Sequence, residues 1–191
     1  EDGISEMLLP GQEGIFYQAN SYEHIEDSHT TEDASERTNQ VDKRNQKVAT
    51  YLKNHFKMPL IVGNLETART VLITWGSMKG PAIDAMSLLS DAKIALIHFT
   101  HVYPMDEKRI GELFSSLKDK RIILIENNSQ GQFGQLLRMQ TGVTLTEKLL
   151  KYDGRPFWPE EIRDYVLGSK KLEVSPQSAE QKILAKLEQN S

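Results

Sequence analysis

No cysteine occurs among the 191 residues of this chain, which removes disulfides, thiolate nucleophiles, Cys-ligated zinc and Cys-ligated iron–sulfur clusters together. An excess of basic residues is also missing: 23 Lys and Arg stand against 27 Asp and Glu, a formal charge of −4. A sequence-independent nucleic-acid binder needs a basic face, so the balance argues against that class. No apolar run approaches the ~20 residues that cross a bilayer, and no basic-then-apolar leader opens the chain. The expectation is a soluble, cytoplasmic protein without a nucleic-acid or membrane partner. Familiar catalytic signatures are absent too. There is no Walker A loop, no G-x-G-x-x-G, no H-E-x-x-H, no EF-hand pattern and no placed Ser–His–Asp set.

What the chain does contain lies between Val71 and Gln140. Val71-Leu72-Ile73-Thr74-Trp75 runs into Gly76-Ser77-Met78-Lys79-Gly80-Pro81, and Arg121-Ile122-Ile123-Leu124-Ile125 runs into Glu126-Asn127-Asn128-Ser129-Gln130-Gly131-Gln132-Phe133-Gly134. Near-continuous apolar runs bounded by turn residues suit strands buried on both faces, which belong to parallel sheets covered by helices. Ala95-Leu96-Ile97-His98-Phe99 supplies another strand, and Asp106 opens a helix carrying Ile110, Leu113, Phe114 and Leu117, the spacing of one helical face. Pro81 suits a first helical position, and that helix is expected to turn Ile83, Met86, Leu88 and Leu89 to the sheet. A further helix from Gln132 would use Phe133, Leu136, Leu137 and Met139 and end at Gly142. Glu147–Leu150 reads as a last strand, Leu60-Ile61-Val62 as edge strand or linker, and Pro159 as a helix start.

The predicted fold class is therefore α/β, a three-layer α/β/α arrangement around a mostly parallel sheet of about five strands. Four stretches are expected: an acidic extension (1–37), left from a preceding domain or an interdomain loop and without regular structure of its own, a helix from Thr38 with its linker (38–66), the α/β domain (67–167) and a charged tail (168–191). In the tail, Ile183, Leu184 and Leu187 suggest one or two amphipathic turns.

Candidate site residues fall in three places. Gly76, Ser77, Lys79 and Gly80 lie between a strand and a helix, where open α/β sheets hold ligands and free amides attract anions; an ordinary tight turn explains them as well. Glu126, Asn127, Gly131 and Gly134 occupy the equivalent turn, where positioning the helix against the sheet competes with a phosphate site. Glu23, His24 and Glu26, followed by Asp27, His29, Glu32 and Asp33, form the densest set of possible metal ligands, but in no recognised spacing. His98, on an otherwise apolar strand, reads as a core residue. No catalytic, cofactor or metal residue is assigned on these grounds.

Several segments together bear a family likeness. Ser21-Tyr22-Glu23-His24-Ile25-Glu26, then Val41-Asp42-Lys43-Arg44 with Lys47, then Thr74-Trp75-Gly76-Ser77 and Val102-Tyr103-Pro104-Met105, then Tyr152-Asp153-Gly154-Arg155-Pro156-Phe157, occur in an order that resembles the alpha subunit of 2-oxoacid:ferredoxin oxidoreductases of the 2-oxoglutarate or pyruvate type. Ser21 stands where that family has glycine. The fold implied is that of the transketolase C-terminal domain, and the resemblance implies that the chain is a fragment lacking the preceding domain. The activity implied for the whole enzyme is oxidative decarboxylation of a 2-oxoacid to acyl-CoA with ferredoxin as acceptor. Thiamine diphosphate, Mg and an iron–sulfur cluster are implied for that enzyme and none for this segment. The implied partners are the beta subunit, in a homodimeric or heterotetrameric assembly, with ferredoxin and coenzyme A. The segment's implied role is assembly. The alternative is a stand-alone α/β module binding a small anionic ligand at Gly76–Gly80; a dehydrogenase E1 beta chain or transketolase sharing only the fold ranks last.

Overall fold

Residues 2–89 and 93–168 are described by a computed structural model, in which the chain divides into two units, 1–56 and 57–191. In the first unit, β1 (Glu23–His24) and β2 (Thr30–Thr31) pair antiparallel. Part of the acidic stretch expected as loop is thus a short hairpin. Its turn is closed by Ser28 N donating to Ile25 O at 2.9 Å and by Ile25 N donating to His29 O at 3.0 Å. Helix α1 (Ala34–Asn54) begins ahead of the expected Thr38, because the Asp33 carboxylate accepts from the amides of Ser35 and Glu36 and caps it.

The second unit holds the sheet. Its elements are β3 (Leu60–Val62), β4 (Thr70–Trp75), a 3-10 turn (Gly76–Met78), α2 (Lys79–Leu88), β5 (Ile94–Phe99), α3 (Glu107–Ser115), β6 (Arg121–Glu126), α4 (Gln132–Thr141), β7 (Glu147–Leu150) and α5 (Pro159–Leu167). The strand order is β3-β5-β4-β6-β7. All neighbours are parallel except β3, which lies antiparallel on β5 as an edge strand. This is the three-layer α/β/α architecture. Every residue of β5 is buried, as a central parallel strand covered on both faces requires.

Strand alternation assigns the two faces. Leu72, Ile94, Leu96, Ile123 and Ile125 pack with Ala82 and Ala85 of α2 and Ile162 of α5, and α2 lies against α5. On the opposite face α3 lies against α4, with Ile110, Phe114, Phe133 and Leu137 buried. Two expected core positions are corrected. Leu88 is 46% exposed and Met139 72%, because alanines rather than larger residues carry α2's close approach, and Gly134 does the same for α4. Helix α4 ends on Gly142 in the left-handed region, φ 74°, which glycine adopts without a Cβ clash. The tail positions Ile183, Leu184 and Leu187 lie outside the described residues.

Candidate functional site at the carboxyl end of the sheet

Strands β4 and β6 are neighbours, yet the helix after β4 covers one face and the helix after β6 covers the other. Their carboxyl ends therefore flank the topological switch point, the crevice in which α/β sheets of this kind bind ligands. The Ile73–Leu124 pairing carries the register two residues on to Trp75 and Glu126, one from each side of the crevice.

Glu126 is fully buried and its carboxylate is surrounded by donors. Its Oε2 accepts from the Phe133 amide at 3.1 Å, from Trp75 Nε1 at 3.3 Å and from Asn128 Nδ2 at 2.6 Å, while Oε1 accepts from the Gly134 amide at 3.1 Å. Two donors are first-turn amides of α4, whose dipole favours negative charge there. Asn128 completes the turn: its Oδ1 accepts from the amides of Gln130, Gly131 and Gln132 at 3.1, 2.6 and 3.2 Å. The amides that would cradle a phosphate after β6 are therefore consumed by the chain's own side chains. Phe133 lies beneath them, its ring 4.7 Å from Phe99 and 6.3 Å from Trp75.

Gly131 (φ 66°) and Gly134 have distinct roles. A Cβ on Gly134 would meet Leu124 Cδ2 at 2.5 Å, so any other residue there requires the buried Leu124 side chain to shift.

Across the crevice, Gly76 takes φ 58°, and neither the 3-10 turn nor α2 has a side-chain cap. Ser77, Lys79 and Gly80 are exposed. On that face Thr74 and His98 are buried and joined, Thr74 Oγ1 to His98 Nδ1, at 2.9 Å. Burial first, and the Lys79 charge second, hold the His98 pKa below its ordinary 6.5.

The loop after β7 reaches the same end of the sheet. Lys151 N donates to Glu126 O at 3.1 Å and Asn127 Nδ2 to Arg155 O at 3.4 Å. The Lys151 side chain is 4% exposed, and its ammonium donates to both Glu161 oxygens (2.9 and 2.8 Å) and to Pro156 O at 3.0 Å. Asp153–Arg155 is an ion pair at the surface. Hydrogen bonding from Arg155 is the main cause of a lowered Asp153 pKa.

No protein-family model matches the chain. Over 169 residues it is 31% identical to the alpha subunit of 2-oxoacid:ferredoxin oxidoreductase 1 of Sulfurisphaera tokodaii, covering 87% of this chain and 26% of that protein. The alpha subunit of 2-oxoacid:ferredoxin oxidoreductase of Saccharolobus solfataricus is 31% identical over 168 residues, covering 86% of this chain and 26% of its own length. A 2-oxoglutarate:ferredoxin oxidoreductase from Magnetococcus marinus, solved with 2-oxoglutarate, coenzyme A and succinyl-CoA bound, superposes with a TM-score of 0.69 at 26% identity over 88% of this chain and 29% of that one. The chain is a homologue of 2-oxoacid:ferredoxin oxidoreductase alpha subunits. It spans about a quarter of the length of the curated relatives it matches.

The structure of this alpha-subunit homologue unites two of the three candidate clusters: Gly76–Gly80 and Glu126–Gly134 face each other across the switch point. The third lies in the first unit. There Glu23 accepts from Arg37 (2.7 Å) and from both terminal nitrogens of Arg44 (2.9 and 2.7 Å), and the Arg44 hydrogen bond is the largest cause of its lowered pKa. Asp27 pairs with His29 at 3.0 Å, and Asp33 caps α1. These acids are engaged with the chain's own groups. No set of three or more His, Cys, Asp or Glu arranged to hold a metal occurs among the described residues. Sequence reasoning missed Trp75 and Lys151, and noted Asn128 only as a polar group at a strand end, without its role in the turn. Asn128 carried a usable signal, since an Asn three residues before a glycine at a helix entry suits an Asx-type turn.

Proposed function

We propose that this chain is the transketolase-C-terminal-like domain of the alpha subunit of a 2-oxoacid:ferredoxin oxidoreductase, and that it supports subunit assembly rather than catalysis. The observation that carries the reading is the internally satisfied switch point: Glu126 and Asn128 occupy the amides that a phosphate would need. The whole enzyme would convert a 2-oxoacid, coenzyme A and oxidised ferredoxin to acyl-CoA, carbon dioxide and reduced ferredoxin, in the cytoplasm. Thiamine diphosphate, Mg and an iron–sulfur cluster would supply that chemistry when bound. The residues here do not fit those groups, because the chain has no cysteine and the carboxylate at the switch point is already enclosed by four donors. A beta subunit of the same enzyme would bring the sites for them.

The test is to co-express the complete alpha subunit with its beta subunit, with and without residues 57–168. Co-elution and 2-oxoacid-dependent ferredoxin reduction should both be lost without the segment. A truncated pair that still co-elutes would reject the assembly role. One observation favours the second reading: α2 has no side-chain cap, and exposed Ser77 and Lys79 stand beside its start. That reading predicts thermal stabilisation of the isolated chain by millimolar phosphate through mass action, abolished in Lys79→Ala; a melting temperature indifferent to phosphate rejects it.

A further inference from the structure

Aspartate followed by glycine is the dipeptide in which a main chain most readily isomerises, because glycine has no side chain to keep its nitrogen away from the aspartyl carboxyl group. The chain contains this dipeptide twice, at Asp2-Gly3 and at Asp153-Gly154. In both, the carboxylate is folded back over the following peptide as an Asx turn. Asp2 Oδ1 accepts from the Ile4 amide at 2.9 Å, and Asp153 Oδ1 accepts from the Arg155 amide at 3.0 Å.

The two differ in what restrains the glycine. Gly3 lies against α1: a Cβ there would meet Lys43 O and Lys47 N, both at 2.6 Å, and Thr50 Oγ1 donates to Asp2 O at 2.6 Å. The peptide that would have to turn is fixed by the helix backbone on one side and by a hydroxyl on the other. Gly154 (φ 83°) lies in the loop after β7, where a Cβ would meet no atom of the described residues within 4 Å. The anchors of that loop flank its tip: Lys151 N donates to Glu126 O, the Lys151 ammonium to Glu161, and Asn127 Nδ2 to Arg155 O. At the tip the restraint is Arg155. Its Nε donates to Asp153 Oδ2 at 2.9 Å, and its Nη2 donates to the same oxygen. Pro156 biases the Arg155 backbone to an extended conformation, which limits the freedom of that clamp. The same hydrogen bonds favour the ionised carboxylate, and an ionised carboxylate gives up an oxygen poorly.

We propose that Asp153-Gly154 is a site of spontaneous isoaspartate formation, and that Arg155 restrains it. The Gly154 nitrogen attacks Asp153 Cγ, the Cγ–OH bond breaks, and the hydroxyl leaves as water with the amide proton. Water then opens the resulting five-membered imide. Opening at Cγ restores aspartate. Opening between the main-chain carbonyl carbon and the Gly154 nitrogen leaves the chain running through Cγ, with the former carbonyl as a free carboxylate. One water is released and one consumed, and no other reactant is needed. The product has one more main-chain carbon between β7 and α5. It also takes the carboxylate out of the Arg155 clamp and displaces the Arg155 carbonyl that Asn127 holds beside the switch point.

Peptide mapping of the 191-residue chain, aged for weeks at physiological temperature and pH, tests this. Trypsin separates the two dipeptides into residues 1–37 and 152–163, because the Arg155-Pro156 bond resists cleavage. Isoaspartate has the mass of aspartate; a shifted elution time and enzymatic methylation by protein isoaspartyl methyltransferase detect it, and electron-transfer fragmentation assigns the residue. Isoaspartate at 153 should exceed that at 2 several-fold. Arg155→Ala should accelerate the reaction at Asp153 several-fold and leave Asp2 unchanged. Asp153→Glu, which keeps a carboxylate for Arg155, should abolish it, and an unchanged far-UV spectrum shows that each variant is folded. In urea, Asp2 should gain the reaction that packing on α1 denies it. Accumulation at Asp2 that matches Asp153 in the folded chain, a rate at Asp153 unmoved by Arg155→Ala, or no isoaspartate at 153 in either chain would overturn the proposal.

Discussion

Glu126 shows how a single buried charge is made tolerable. A carboxylate moved out of water is costly unless donors replace the lost hydration, and here two helix amides, an indole and a carboxamide do so. Glu126→Ala leaves those donors facing an apolar gap, and each unsatisfied buried donor costs about 1–3 kcal/mol. Urea unfolding followed by far-UV circular dichroism should show a loss of about 3 kcal/mol for Glu126→Ala and less for Glu126→Gln, which keeps one acceptor oxygen. Equal losses would mean that the charge and its donors contribute nothing beyond volume. His98 makes the opposite case, a titratable group kept neutral. Because its folded pKa lies below 6.5, the unfolded chain binds more protons once the pH drops below that value, and stability must rise with pH across that window. Acidification from pH 7 should therefore lower the urea midpoint, and His98→Gln should flatten the upper part of that slope. The surface carboxylates Glu23 and Asp153, whose pKa values arginine hydrogen bonds lower, lose their contribution only in more acidic solution. An unaltered slope in the variant would dissociate His98 from the effect.

At the scale of elements, the parallel strands were legible because burial on both faces leaves an unbroken apolar run, as in Ile94–Phe99 and Ile122–Ile125. Turn chemistry was legible where one residue type dominates: Asp106 caps α3 through the Arg109 amide at 3.0 Å, and Gly142 ends α4. Helix facing was less so. In α2 the apolar residues encircle the axis, and the choice of Ala82 and Ala85 as the inward pair depends on how closely α5 packs, which no local pattern records. The site was legible as two turns but not as one crevice. The Trp75–Glu126 bond spans 51 residues and exists only because β4 and β6 became neighbours. The sequence reads the Gly131–Gly134 turn as positioning α4 against the sheet, with a weak phosphate signal as the competing reading, and a Cβ on Gly134 would meet Leu124 Cδ2 at 2.5 Å. Gly134→Ala should push α4 off the sheet and cost about 1–3 kcal/mol, lowering the urea midpoint while α3 and α5 amides keep their chemical shifts. A substitution without effect would mean that Leu124 repacks freely.

At the scale of the whole molecule, the two units differ in what holds them. The second buries a continuous core from β5 outward, so its opening should approach global unfolding. The first is organised by ion pairs and helix capping on exposed groups, and such pairs are worth about 0–1 kcal/mol each and weaken with salt. Raising salt from 0.1 M to 1 M shortens the screening length from about 10 Å to about 3 Å. The two units should therefore respond differently. Amide exchange in residues 34–54 should accelerate in high salt, through loss of the Glu23 pairs with Arg37 and Arg44, while β4, β5 and β6 remain protected. Uniform acceleration of both units would show instead that the helix and the sheet open as one cooperative body.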